Sequence, residues 1–307
     1  MDALQAELDV AFEPQAWQDP ARLAEAVRGA RAWIVRNQTQ VTAELIAKAK
    51  RLEIIARAGA GLDNIDVAAA TSAGVVVAST PSQNSLSVAE LTLGLMLALA
   101  RNIPAADRHV KSGGWDRLRF LGGELFGKTL GVLGFGRIGF LTARRAAAFG
   151  MHVLAYDPYV DPDSVPVVES RAILAELDCV MADSDFVTCH LPGGKETRGL
   201  IDYARFLRMK PTAFFINVAR GEVVDEPGLI RALEEGRIAG AALDVRAQEP
   251  PGASPLDRME NVILIPHVAA FTREAQHRVV ASVCRDVRAV LSGGEAVGYV
   301  NFPKPKR

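Results

Sequence analysis

Short runs of β-branched and aliphatic residues alternate along the chain with longer Ala/Leu-rich stretches whose apolar positions recur at helical spacing. The runs that predict strands are Trp33–Arg36, Glu53–Ala56, Val75–Val77, Thr129–Leu133, His152–Tyr156, Phe186–Cys189, Ala213–Asn217, Gly240–Leu243 and Val262–Ile265. Most are apolar at nearly every position, as expected of strands buried on both faces of a parallel sheet with crossover helices. Ser87–Leu99 predicts one long buried helix, followed by a polar helix ending near Gly113-Gly114. Arg273–Leu291 predicts an amphipathic helix closed by Gly293-Gly294. The most apolar stretch, Leu91–Ala100, is ten residues long between Glu90 and Arg101. That is half of the roughly 20 needed to span a bilayer, so it reads as a core helix. The pattern predicts an α/β fold with a domain change near residue 102, where Arg101-Asn-Ile-Pro104 interrupts the helices.

Composition narrows the functional classes. With 307 residues the chain predicts two domains of ordinary size, and 49% hydrophobic content excludes disorder. The 35 Lys+Arg nearly cancel 36 Asp+Glu, so no broad basic field exists to bind nucleic acid or an anionic membrane, and neither is an expected partner. Cys179, Cys189 and Cys284 are an odd set without CxxC spacing, which predicts no disulfide framework and no metal site. The N-terminus has no basic stretch leading into an apolar run, so no secretory signal is expected and the location predicted is cytoplasmic.

The strand Thr129–Leu133 leads directly into Gly134-Phe-Gly136-Arg137-Ile138-Gly139 and then a helix. Glycines are needed there for the tight turn, for backbone approach to a pyrophosphate, and for close helix–sheet contact. The next strand ends in Asp157, 18 residues after Gly139. An acid at that place accepts hydrogen bonds from ribose hydroxyls and repels a 2′-phosphate, which predicts NAD as cofactor.

Nicotinamide chemistry on an alcohol or carbonyl needs a group that moves the hydroxyl proton, for which histidine is suited. His109, His152 and His277 fall in polar or amphipathic surroundings where solvation or packing explains them, and His190 ends a strand beside the expected cofactor site. His267 differs, because Pro266-His267 closes the strand Val262–Ile265, at the carboxyl edge where ligands of such sheets bind. Arg220 follows the strand Ala213–Asn217, and Asp244 and Glu249 follow Gly240–Leu243. Together these allow a guanidinium to hold a carboxylate, an imidazole to transfer a proton and a glutamate to orient it. In the first part of the chain, Arg57-Ala58-Gly59-Ala60-Gly61 at a strand end is either a backbone nest for an anion or an ordinary tight turn.

Seven ordered motifs, IVRNQTQVTAELI, RAGAGLDNIDVAAA, NSLSVAELTLGLMLALAR, GKTLGVLGFGRIG, NVARGEVVDE, GAALDVRAQEPP and PHVAAFTREAQ, carry a resemblance that extends over nearly the whole chain, from about Trp33 to Asn301. In them the sequence resembles the D-isomer-specific 2-hydroxyacid dehydrogenase family, closest to the catalytic core of D-3-phosphoglycerate dehydrogenases. The resemblance implies two doubly wound parallel-sheet domains, with a Rossmann NAD-binding domain at 103–270 inserted into a flavodoxin-like substrate domain made of 1–102 and 271–307. It implies an oxidoreductase moving hydride between nicotinamide and C2 of a 2-hydroxy or 2-keto acid, and a homodimer. By motif, Arg220, Glu249 and His267 would be catalytic, and Arg57, Ala58, Gly59, Ala60 and Gly61 would contact substrate. Gly134, Gly136, Arg137, Ile138, Gly139, Asp157, His190, Pro192, Thr197, Val218, Ala219 and Asp244 would surround NAD.

Two departures from the family pattern are visible. Ala269-Ala270-Phe271 follows the histidine where relatives carry smaller residues, which leaves phosphoglycerate, hydroxypyruvate, glyoxylate and diacids all open as substrates. The chain begins at what resembles the end of a helix, then Asp9–Phe12, so an opening strand is expected to be missing, and the motifs leave no segment for a C-terminal regulatory domain. An NADH-sensing corepressor of the same family is the alternative of a different class; the absence of polar or proline-rich extensions disfavours it.

Overall fold

The computed structural model describes residues 2–306. The chain divides into two compact units, Met1–Asn84 with Phe271–Arg307, and Ser85–Ala270. The division precedes the boundary expected near residue 102 because the helix Ser85–Ala100 packs in the second unit. Its Leu93, Leu95, Met96 and Leu99 share a core cluster with Leu130, Val132 and Ala143.

In the first unit, strands β1 (Ala32–Val35), β2 (Ile54–Arg57) and β3 (Val76–Ala78) form a parallel sheet in that order, with Trp33 opposite Ile55 and Ile55 opposite Val77. One face is covered by residues such as Leu45 and Ile46 of the helix Ala43–Lys48. The other receives Val283, Val287 and Val290 of the helix Arg273–Leu291, which explains that helix's amphipathic pattern. The strands start within a residue of the expected positions. Residues 9–12 form no strand, and Phe12 is exposed.

Beyond the last helix, Val300 donates to the Val77 carbonyl at 2.8 Å and Ser79 donates to that of Gly298 at 2.8 Å, so the chain end runs along β3. Asp286, 1% exposed, holds this segment by accepting from the amides of Val297 and Gly298.

The second unit is a seven-stranded parallel sheet. Its strands are β4 (Thr129–Leu133), β5 (His152–Tyr156), β6 (Ile173–Leu174), β7 (Phe186–Cys189), β8 (Phe214–Asn217), β9 (Gly240–Leu243) and β10 (Val262–Leu264). Their order is β10-β9-β8-β7-β4-β5-β6, so the winding reverses between β4 and β7. That reversal is the topological switch point of a doubly wound sheet, beyond whose carboxyl ends ligands bind. β6 was not anticipated, since a two-residue edge strand with Ile173 exposed shows no apolar run. One face packs the helices Ser85–Ala100 and Arg137–Ala148, and the other packs Leu177–Asp183 and Glu226–Glu234. No single helix among the described residues is long and apolar enough to cross a membrane.

Replacing Asp286 by Ala removes the carboxylate that accepts from the part-buried amides of Val297 and Gly298, bonds to a charged group worth about 1–3 kcal/mol each. The variant is expected to lose about 2–4 kcal/mol of stability in urea denaturation. A loss below about 0.5 kcal/mol would show that water or another group replaces the carboxylate.

Candidate active site

Because all seven strands of the second unit run parallel, their carboxyl ends bring the turns after β4, β5, β7, β8, β9 and β10 to one edge of the sheet. After β4 the chain turns sharply at Gly134, whose φ of +91° suits glycine, and a Cβ there would lie 2.9 Å from the His190 carbonyl carbon. A Cβ on Gly136 would meet nothing within 4 Å. The turn is therefore closed on its protein side and open at Gly136, where the helix Arg137–Ala148 begins with Arg137 exposed, Ile138 partly buried and Gly139 buried. Such an end offers unpaired amides and a favourable dipole to an anion, and the glycine pattern fits a dinucleotide pyrophosphate. Asp157, at the end of β5, braces this turn: Oδ2 accepts from Phe135 N at 2.8 Å and Oδ1 from Tyr159 N at 3.0 Å.

His190 ends β7 with Nε2 3.2 Å from Thr188 Oγ1, and its buried Nδ1 has no hydrogen-bond partner. Desolvation pushes the ring down to about 3, so it stays neutral. In the following loop Thr197 Oγ1 donates to the Pro192 carbonyl at 2.6 Å. After β8, the buried Asn217 shapes the turn carrying Val218, Ala219 and Arg220: its Nδ2 donates to the Arg220 carbonyl at 3.0 Å and its Oδ1 accepts from Ala219 N at 3.1 Å. Arg220 Nη1 donates to the Ala219 carbonyl at 2.8 Å.

The most specific geometry lies after β9 and β10. Asp244 is buried, and its carboxylate accepts from Val268 N at 2.6 Å and Ala269 N at 3.0 Å, while its carbonyl accepts from His267 N at 2.8 Å. These bonds hold His267 at φ +52°, a left-handed conformation rare for a side-chain-bearing residue. His267 Nδ1 thereby lies 2.7 Å from Glu249 Oε2, both side chains being partly exposed, at 40% and 36%. The bond to Glu249 raises the His267 pKa above the ordinary imidazole value, against burial and the nearby Arg220 charge. Burial opposes ionisation of Glu249, but His267, Arg246 N and Arg220 overcome it and hold its carboxyl below the ordinary range. Burial leads in raising Asp244, although the two amides and His267 oppose it.

In the other unit, Ala58 N donates to the Val35 carbonyl and Gly59 N to that of Arg57. Those bonds occupy two of the amides of the 58–61 turn that were expected to act as backbone donors. The Arg57 guanidinium folds over Gly59 and donates to the Ala58 carbonyl at 3.1 Å. Sequence reasoning missed Asn217, Glu226 and Arg246. An asparagine closing an apolar strand was a readable signal for the first; the other two act through contacts between distant segments.

Residues 93–269 match the family model described as "D-isomer specific 2-hydroxyacid dehydrogenase, NAD binding domain". A D-3-phosphoglycerate dehydrogenase of Methanocaldococcus jannaschii is 46% identical over 281 residues, 92% of this chain and 53% of the relative. The chain thus spans about half the length of the relatives of this kind that it matches. Among solved structures, the TT0316 protein from Thermus thermophilus aligns with a TM-score of 0.88 at 33% identity, covering 97% of this chain and 95% of its own. A D-lactate dehydrogenase from Aquifex aeolicus, complexed with NAD and lactic acid, aligns with a TM-score of 0.83 at 31% identity, covering 91% and 89%.

Gly134→Ala adds a methyl group against the His190 backbone at a positive φ. The expected loss is about 1–3 kcal/mol in guanidinium denaturation. Unchanged stability would mean that the turn accommodates a side chain.

Proposed function

The chain belongs to the D-isomer specific 2-hydroxyacid dehydrogenase family, and from that membership we propose that it is an NAD-dependent dehydrogenase acting at C2 of D-2-hydroxy and 2-keto acids. The observation carrying this reading is the 2.7 Å pair of His267 and Glu249, on the same sheet edge as Arg220 and the open Gly136 turn. NAD held there would accept or donate the hydride. Arg137, Ile138 and the glycines would receive its phosphates, Asp157 the adenosine ribose, and His190, Pro192, Thr197, Val218, Ala219 and Asp244 would line its path.

In oxidation, neutral His267 takes the hydroxyl proton as hydride leaves C2. In reduction, protonated His267 returns that proton to the carbonyl oxygen as hydride arrives. Arg220 would hold the substrate carboxylate and polarise the carbonyl, and Glu249 orients the imidazole and stabilises its charged form. The Arg57–Gly61 turn is the proposed second contact for substrate anions. Among candidate substrates 3-phosphoglycerate leads, since the relatives 46–47% identical carry that specificity in their names. We also propose a cytoplasmic homodimer. Three free cysteines suit a reducing compartment. Trp115, Leu118, Leu121 and Phe126, each at least 76% exposed, offer apolar surface for a second copy.

His267→Gln is expected to lower turnover by about 10²–10⁴-fold with NADH affinity little changed; retention of a tenth of wild-type kcat would overturn the acid–base role. The raised His267 pKa sets the sign of the pH dependence. Keto-acid reduction needs the protonated ring, so it is full below that pKa and falls as pH rises through it, while hydroxy-acid oxidation rises over the same range. Glu249→Gln should move both midpoints downward. A screen of NADH oxidation should favour 3-phosphohydroxypyruvate over glyoxylate and uncharged keto acids; indifference to the second anionic group would point to another keto acid. Leu118→Glu should shift the sedimentation coefficient to that of a monomer, and an unchanged value would remove this surface from the interface.

A further inference from the structure

Arg246 lies between the two turns that carry Glu249 and Arg220, although the sequence assigns it no task. Its guanidinium, with the side chain only 7% exposed, makes a bidentate pair with Glu226, Nε to Oε2 at 3.1 Å and Nη2 to Oε1 at 2.8 Å. The same Glu226 Oε2 accepts from Ala247 N at 3.0 Å, and Glu249 Oε1 accepts from Arg246 N at 3.2 Å. Two consecutive amides are thus tied to two different carboxylates, one at the start of the helix Glu226–Glu234 and one bonded to His267. The backbone of this loop also presses on the turn after Arg220: a Cβ on Gly221 would sit 1.8 Å from the Arg246 carbonyl oxygen, so only glycine fits.

We propose that the Glu226–Arg246 pair is a positioning clamp, which fixes the 246–249 loop so that Glu249 meets His267 and keeps the Arg220 turn in place. The inference rests on the acid–base role of His267 proposed above. Neither clamp residue is bonded to the imidazole; both act through the loop backbone. A bidentate pair suits this task, because its two parallel bonds restrain orientation as well as distance. A carboxylate lacking one of these bonds would let the loop rotate and lengthen the contact between Glu249 and His267. The groups whose charge reaches His267 are Glu249, Asp244 and Arg220, and loosening the loop alters the first of these most directly.

The test follows the His267 ring directly, by NMR titration of histidine-labelled protein with His267→Gln identifying its signal. Glu226→Gln keeps the size of the side chain but removes the bidentate carboxylate, leaving Arg246 only Asp257, 4.0 Å from Nη1, as a charged partner. It is expected to lower the His267 midpoint by about half a unit or more, to reduce kcat for keto-acid reduction more than it changes KM, and to move the pH profile with the titration. Glu226→Asp should recover part of both shifts. If Glu226→Gln lowers the melting temperature while the His267 titration stays at its wild-type position, the pair is only stabilising and the proposal fails. Should Glu226→Gln not fold, Arg246→Lys, which keeps the charge but loses the second bond, reads the same titration with the same two outcomes. Absence of turnover on every keto acid would overturn the dehydrogenase reading while leaving the titration to decide the clamp.

Discussion

Asp244 holds the turn on which the pairing of His267 with Glu249 depends. It sits at the end of β9, and its carboxylate binds the amides of Val268 and Ala269 just beyond β10. Two neighbouring parallel strands would otherwise send their chains apart into separate loops. Buried and charged, Asp244 is costly to place unless those amides satisfy it, and they in turn have no sheet partner. The exchange bends the chain at Pro266-His267 into the left-handed conformation that presents the imidazole to Glu249. Without that carboxylate, the turn carrying His267 keeps, of its bonds to Asp244, only the backbone bond from His267 N to the Asp244 carbonyl.

Two histidines on the same sheet edge show how environment assigns chemistry to identical side chains. His190 is packed beneath the Gly134 turn with one ring nitrogen unpartnered, and its pKa falls to about 3, leaving a neutral spacer. His267 has a carboxylate on Nδ1, and its pKa is raised above the ordinary imidazole value. The difference comes from a single contact. The bond from Glu249 is the largest influence on His267 and outweighs burial, whereas His190 has only desolvation acting on it. A glutamine in place of Glu249 would still orient the ring but would not stabilise its charge.

The glycine turn, its preceding strand and the acid at the next strand end were legible because each follows local rules: continuous apolar runs, small residues where backbone must approach, and a fixed spacing to Asp157. His267 was singled out among five histidines for a similar reason, since ending an apolar strand places it on the ligand-binding edge of a parallel sheet. The two-residue β6 escaped because an exposed edge strand needs no apolar run. The helix Ser85–Ala100 was found but assigned to the wrong side of the boundary, because hydrophobicity reports that a helix is buried and not which core receives it. Its Leu93, Met96 and Leu99 pack with Leu130 and Val132, a choice settled by shape across the second unit.

The order of motifs along the chain was therefore enough to establish the α/β class, the parallel strands, the dinucleotide turn and the set of charged groups at strand ends, since all of these arise from periodicity and backbone conformation within a few residues. Tertiary structure alone decided which amides of the Ala58–Gly61 turn are already spent, that Asp244 shapes the His267 turn, and that Glu226 and Arg246 join two loops. Apart from the local bond of Gly59 N to the Arg57 carbonyl, those outcomes depend on hydrogen bonds between segments about 20 or more residues apart, and a donor's partner is chosen by distance and burial in the folded chain rather than by its neighbours in sequence.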